Sequence, residues 1–382
     1  MLYKRTLSIL VMSIMVLSMV ITGCGPTPTP EQIVVTKEVE KEVEKEVEVT
    51  KEVVITATPE PEDEESPPLI AATFRNLVNQ YWVDWNKGGR EAADALDILY
   101  LPLSGEDSEE TQLGVVEDAI AKGANALVLQ PVSDAIFPAM IELCEKNEIP
   151  CVGMWDAPLD MNPADYEYWV AQVTQDAEWQ GYTTAKKLFE GLDGEGKIVA
   201  IDGIPGTYCN DQRVKGLRRA LEEYPNIELL GSIQPGSYNR FDATPVMEDF
   251  VTAYGDEIDG VWTANDDMAI GVIEVLQTAG MDDVLVSGVD TIEEAVDKII
   301  AIENMYVTLG GDPKGMHGTG IVLAYLAIQG YRLPQEEQLQ YWEPPVVTAE
   351  NAEQIKEDWF TNYEGHDWQE ILETWKEKCQ KQ

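Results

Sequence analysis

Histidine is almost missing from this chain. Only His317 and His366 occur among 382 residues, which leaves little for imidazole-based metal binding or acid–base chemistry. Cations are scarce as well: 26 Lys and Arg stand against 70 Asp and Glu, for a formal net charge of −44. A nucleic-acid binder needs surplus Lys and Arg to contact phosphates, so that class is excluded. Adsorption to anionic lipid headgroups is disfavoured for the same reason. The five cysteines follow no zinc-ligand spacing. There is no G-x-G-x-x-G after a strand, no G-x-x-x-x-G-K-[ST] and no G-x-S-x-G, so the dinucleotide, P-loop and nucleophile-elbow fingerprints are absent. What is present is apolar material. With 44% hydrophobic and 8% aromatic residues, wholesale disorder is ruled out, and the length suits two domains with additional segments.

Lys4 and Arg5 precede an apolar run from Leu7 to Ile21, too short to read as a spanning helix. The run ends in Ile21-Thr22-Gly23-Cys24, which resembles a bacterial lipobox. That resemblance implies a signal peptide over residues 1–23 and lipidation of Cys24; an uncleaved anchor helix is the alternative. Either way the remainder lies outside the cytoplasmic membrane. Residues 24–68 form a low-complexity tether of Thr-Pro repeats, a Lys-Glu-Val-Glu repeat and an acidic Pro-rich end. Val35, Val39, Val43 and Val47 recur every four residues, a poor match to a 3.5-residue coiled-coil seam, so a solvated spacer is expected rather than an oligomerising stalk. Of the other cysteines, Cys144 and Cys151 sit at a helix end and the next strand. A bridge between them and two buried free thiols are both open readings.

From Leu69 the texture changes to apolar strands alternating with amphipathic helices. The first series has strands at 69–74, 97–101, 126–130, 151–155 and 168–173, with helices at 83–94, 108–122 and 133–147. A second series starts with a helix at 175–190 and a strand at 197–202, and runs to a strand at 306–309 and a helix at 313–329. Such alternation implies parallel sheets covered on both faces. The expected class is therefore α/β, with two doubly wound parallel-sheet lobes: 69–172 plus 310–341, and 173–309 plus 342–382. Three crossovers, near Val173, near Leu309 and in 341–347, would form a hinge. The Gly-rich stretch Gly315–Gly320 falls inside a helix, where small residues serve close packing. Two amphipathic helices are expected at 351–361 and 367–378, packed on the second lobe or offered to a partner.

Ligands of doubly wound sheets sit outside the carboxyl ends of the strands. Those ends here carry Arg75 to Trp85, then Gln130-Pro131, Trp155-Asp156, Gly203 to Thr207, Tyr238-Asn239, Asn265-Asp266-Asp267 and Asp290. Most combine an aromatic or planar polar group with a turn. A sugar needs both: its C–H faces stack on Tyr and Trp, and its hydroxyls need planar, paired partners. For single residues blander roles stand beside this one, and Asp134 and Asp267 read as helix caps.

These segments resemble the periplasmic sugar-binding proteins of ribose-binding type, which deliver ligand to ABC importers. The resemblance covers about Leu69 to Gly330. Its most specific part is Asn265-Asp266-Asp267, similar to the family's asparagine–aspartate motif. Asn79-Gln80-Tyr81-Trp82 resembles its Asn-Pro-aromatic-aromatic box, and Gly288-Val289-Asp290 its second-domain sugar-binding segment. The resemblance implies a ligand site from Arg75, Asn79, Tyr81, Trp82, Gln130, Trp155 and Asp156 in the first lobe and Asp211, Tyr238, Asn265 and Asp290 in the second. Tyr81 and Trp82 are the expected stacking platforms. Trp155-Asp156 stands where the family has Asp-Arg, and Asn210-Asp211-Gln212 where ribose binders begin a helix with Arg. Two cationic clamps are thus expected to be missing or moved, as in the rhamnose and autoinducer-2 branch, and a cationic ligand becomes possible. No cofactor or metal is expected, and no catalysis. The expected partners are a sugar or polyol, an ABC permease, and the membrane through the lipid anchor alone; the chain is expected to be a monomer. Presentation of ligand to a sensor kinase or chemoreceptor is the alternative. A transcription regulator of the same fold is disfavoured by the lipobox and by the lack of a basic helix-turn-helix.

Overall fold

The computed structural model describes residues 66–158 and 160–381, all within one compact unit. The lipobox, Cys24 and nearly all of the tether lie outside the described residues. The first series gives β1 (Leu69–Phe74), α1 (Gln80–Ala95), β2 (Leu99–Ser104), α2 (Glu109–Ala121), β3 (Ala126–Leu129), α3 (Phe137–Asn147), β4 (Cys151–Met154) and β5 (Trp169–Thr174). The second gives α4 (Ala177–Gly191), β6 (Glu195–Asp202), α5 (Tyr208–Glu223), β7 (Asn226–Leu229), β8 (Gln234–Pro235), α6 (Arg240–Tyr254), β9 (Gly260–Thr263), α7 (Asp266–Ala279), β10 (Leu285–Ser287), α8 (Glu293–Ile300) and β11 (Met305–Leu309). The chain ends with α9 (Pro313–Ile328), β12 (Tyr331–Arg332), β13 (Leu339–Tyr341), β14 (Val346–Val347), α10 (Ala352–Lys356), α11 (Trp368–Lys378) and β15 (Gln380–Lys381).

Strands β3, β4 and β5 are buried at every position, as expected of parallel strands covered on both faces. They belong to a first sheet of order β13-β5-β4-β3-β1-β2, parallel throughout. One face packs on α1 and α9, around Trp85, Met154 and Ile321. The other packs on α2 and α3, around Leu127, Phe137 and Trp169. The second sheet runs β14-β11-β10-β9-β6-β7, with β8 beside β6 and β14 antiparallel on β11. This is the α/β class with parallel sheets that the sequence implies.

Several expectations shift. Helix α1 starts at Gln80 rather than at residue 83, because the Asn79 side chain accepts the Tyr81 N–H and caps it. Tyr81 and Trp82 therefore ride on the first helical turn. Strand β5 stays in the first sheet through Thr174, since Gln172–Thr174 pair with Leu339–Tyr341, so the first crossing falls at Gln175-Asp176. The tail divides between the lobes. Helix α10 packs on α8, but α11 packs on α9 and α1 of the first lobe, against the expected placement of the whole tail on the second. The reason is a notch: the Trp368 ring occupies the space where a side chain on Gly318 would stand. Cys144 and Cys151 are buried free thiols. Among the described residues no helix is long and apolar enough to cross a membrane.

The lobes are joined at Gln175-Asp176, at residues 310–312 and at residues 342–345. All three joins meet at one point. The space beside the Gly311 Cα is bounded by the Gln175 amide and the Trp342 indole, so an added Cβ would lie 2.8 Å from each. Gly311→Ala is therefore expected to overpack the hinge and destabilise the protein by about 1–3 kcal/mol. Urea unfolding followed by tryptophan fluorescence measures it, and an unchanged midpoint would show that the joins have room to spare.

Candidate functional site

The carboxyl ends of the two sheets face each other across a cleft of about 1070 Å³. Helices α1, α5 and α7 begin at its walls, so their N-terminal N–H groups and positive dipole ends lie near it. The first lobe lines it with Arg75, Asn79, Tyr81, Trp82, Trp155 and Asp156; the second with Tyr238, Asn265 and Asp290. Nine of the eleven residues expected from sequence are thus brought together.

Two are not. Asp211 is exposed on the outer face of α5 and accepts the Gly206 N–H at 3.0 Å, which fixes the loop before the helix. Gln130 is buried below the cleft, where its side-chain Oε1 accepts the Arg75 backbone N–H at 2.8 Å and its side-chain amide donates to Pro131 O. The caps also need correction. Asn265, not Asp267, caps α7, and Asp267 holds the Arg240 backbone and guanidinium at 2.9 Å. Asp134 accepts the Tyr208 N–H at 3.3 Å across the two lobes.

One of the two cationic clamps expected to be missing or moved has a counterpart in Arg213. It lies one turn inside α5, on the face with Asn210, Leu217 and Ala220, all buried. That i, i+3, i+7 spacing is a helix stripe legible in the sequence. Only 3% of Arg213 is exposed. Its guanidinium donates to Gln180 Oε1 at 3.0 and 3.1 Å and to Ala264 O at 2.7 Å, and lies 3.9 Å from Asp290. It also stands 5.7 Å from the Trp155 ring of the other lobe. Gln180 in turn donates to Gln175, whose amide lies 3.4 Å from Met316 Sδ on α9. A chain of polar contacts therefore runs from the cleft into the hinge. Of the other two cations on the cleft walls, Arg75 is held within its own lobe by Val132 O and by Asp107 at 3.2 Å, and Arg240 by Asp267 and Glu294.

The aromatic wall is cross-braced. The Trp155 indole donates to the Tyr81 hydroxyl at 3.0 Å, and Tyr81 meets Trp82 edge-on at 5.1 Å between centroids. Tyr81 is held by these contacts in the wall, and Trp82 is the more exposed ring. The two asparagines are half committed, since each gives its oxygen to a helix cap. Their amides converge on the Tyr238 carbonyl, at 3.5 Å from Asn79 and 3.3 Å from Asn265. Of the buried side-chain polar atoms on the cleft walls, Asp156 Oδ1 and the Tyr238 hydroxyl make no hydrogen bond, and Arg75 Nε has only its ion pair with Asp107. Buried groups of that kind normally pair, and orphans mark functional positions. Backbone strain collects here too: Trp155, Ser237, Tyr238, Asp290 and Thr291 all take positive φ.

Burial raises two of the carboxyls that line the cleft, Asp156 and Asp290. Asp156 is pushed up to about 6 by desolvation, against the pull of Arg75 and with Asp134 adding to it. Asp290 is pushed well up by burial, opposed by Arg213 and reinforced by Asp266. Asp266 itself, raised to about 7 by burial, lies beneath the site and accepts from Thr308 at 2.7 Å and from the Ile292 N–H at 3.0 Å. The cleft thus offers acceptors and donors in facing pairs, beside aromatic rings, which suits a neutral molecule that both donates and accepts.

The periplasmic binding protein domain model matches residues 70–332. The ribose import binding protein of Escherichia coli (strain K12) is 27% identical over 69% of this chain and 86% of its own. The D-allose-binding periplasmic protein of the same organism is 30% identical over 66% of this chain and 82% of its own. Among solved structures, an ABC transporter periplasmic solute binding protein from Actinobacillus succinogenes 130z with bound D-allose is 29% identical, with a TM-score of 0.69, covering 75% of this chain and 99% of that one. The chain belongs to the periplasmic binding protein domain family.

Arg213→Met is expected to destabilise the fold by about 3–5 kcal/mol, because it strands the buried Gln180, Ala264 and Asp290 acceptors. Urea denaturation reads this directly; a loss below about 1 kcal/mol would mean that the guanidinium is replaceable.

Proposed function

We propose that this member of the periplasmic binding protein family captures a sugar or sugar-like polyol between its lobes and delivers it to an ABC importer. The observation that carries the reading is the pairing across the cleft. Aromatic faces from Tyr81, Trp82 and Trp155 stand opposite Tyr238, Asn265 and Asp290, with Asp156 and Tyr238 still owed a partner. Ring hydroxyls can supply those partners at both walls, and only a closed cleft lets one ligand reach both. The relatives named for ribose and D-allose support the same class. The chain does no chemistry on its ligand in this reading. Lipidation at Cys24 would tether it to the outer face of the cell membrane as a monomer. In the buried part of the cleft a neutral ligand is favoured over a cationic one, because Arg213 and Arg75 stand against the Asp290 and Asp156 carboxyls there, while Asp107, Glu293 and Glu294 lie at its exposed edge.

Mass spectrometry of small molecules released by denaturing the purified protein should yield an intact monosaccharide or polyol. Recovery of a chemically altered candidate sugar would point to an enzyme instead. Asp290→Ala should weaken binding of the recovered ligand by about 1–3 kcal/mol, through loss of a buried hydrogen-bond acceptor. A carboxylate that accepts from ligand binds best when ionised, and Asp156 ionises only above about 6. Affinity should therefore rise from about pH 5 to about pH 7, with proton release on binding at the lower end. In Asp156→Asn the rise should flatten, as read by calorimetry in buffers of different ionisation enthalpy.

A further inference from the structure

The tail lies outside the segment that matches the family model, yet it is fastened to both lobes. On the second lobe Ala352 is buried under α8, Lys356 pairs with Asp297, and Phe360 packs against the core. On the first lobe Tyr363 donates to Glu91 at 3.0 Å, Trp368 fills the notch at Gly318, and β15 pairs with β12. Thr361 and Asn362 alone separate the last anchor on one lobe from the first anchor on the other. The chain there can extend by no more than about 3.6 Å per residue.

This link does not lie at a remote edge. Trp359 and Phe360 wall a small cavity together with Tyr81, Asp290 and Thr291, so they back two residues of the cleft itself. Lys314, at the start of α9, stands 4.1 Å from the Tyr363 ring and 5.8 Å from that of Phe360. Its ammonium is thereby shared between the two anchors. His366 Nε2 lies 2.5 Å from Asp312, in the second hinge join.

We propose that residues 348–381 are a short strap, a fourth connection between the lobes, which limits how far they open and positions Tyr81 and Asp290 against each other before ligand arrives. Thr361 ends a π-helical turn, Glu357–Thr361, closed by the Asn362 N–H to Glu357 O bond at 2.8 Å, so the span can gain only a few ångström, and only by unwinding that turn. Wide opening must therefore break the Phe360 or the Tyr363 anchor, and each break exposes apolar surface. Restricting the open state raises apparent affinity, because less of the free protein is binding-incompetent. The strap extends the binding function proposed above, but its effect on lobe position stands apart from the identity of the ligand.

The test is to lengthen the strap without removing either anchor, by inserting about six Gly-Ser residues between Thr361 and Asn362 in the full chain. Dyes attached through ketone-bearing residues at Glu142 on α3 and Glu274 on α7, both exposed, report the distance between lobes by single-molecule fluorescence. In sugar-free protein the native strap should give one narrow distribution and the lengthened strap a broader, longer one. Tyr363→Ala, which releases one anchor at native length, should move the distribution the same way by less. With D-allose as probe, calorimetry should show affinity lowered about threefold to tenfold by the insertion. Identical sugar-free distributions in native, lengthened and Tyr363→Ala proteins overturn the strap. Failure of every protein to bind D-allose, with the distributions still different, would instead count against that sugar as ligand and leave the strap supported.

Discussion

A guanidinium that scarcely meets water organises the cleft. Arg213 is charged at any accessible pH, so its burial requires that the surrounding fold supply acceptors in fixed places. Gln180 from α4, the end of β9 at Ala264, and Asp290 after β10 do so. These partners come from separate crossovers of the second lobe, and together they hold its strand ends in one geometry. They also explain why Asp290 tolerates burial. The carboxyl is costly there, and Arg213 offsets part of that cost.

From that point constraint passes outward in two directions. Across the cleft, Arg213 approaches the Trp155 ring, which is braced through its indole by Tyr81. Toward the hinge, Gln180 holds Gln175, which packs beside Gly311 and Trp342 where the three joins meet. A ligand that engages Asp290 thus acts on groups in continuous contact with the hinge. Closure needs only the differential contacts made when both walls touch the ligand. A stiff, prearranged site lowers the entropy lost on binding, and the strained residues at the strand ends are held at the expense of stability elsewhere.

Much of the site was legible because strand ends in doubly wound sheets mark ligand positions. The residues that failed did so for local reasons. Asp211 was chosen by its place near the start of a helix, but helix phase turns it outward and turns Arg213 inward. Gln130 follows a strand as a ligand residue should, yet the turn at Pro131 folds its amide back on its own backbone. Asn79 and Asn265 turn only their amide nitrogens to the cleft, where both donate to the Tyr238 carbonyl, because capping takes their oxygens. The amphipathic α11 carried no indication of its lobe.

The sequence by itself determined the class, the order of strands and helices and the set of strand ends that face the ligand, because hydrophobic period and turn residues are local properties. Tertiary structure alone decided which polar atoms stay unpaired, which acceptors hold the buried cation, and where the tail is fastened. Those outcomes depend on contacts between residues far apart in the chain. A notch at Gly318 fits Trp368, and the acceptors around Arg213 exist only once α4, β9 and β10 have come together.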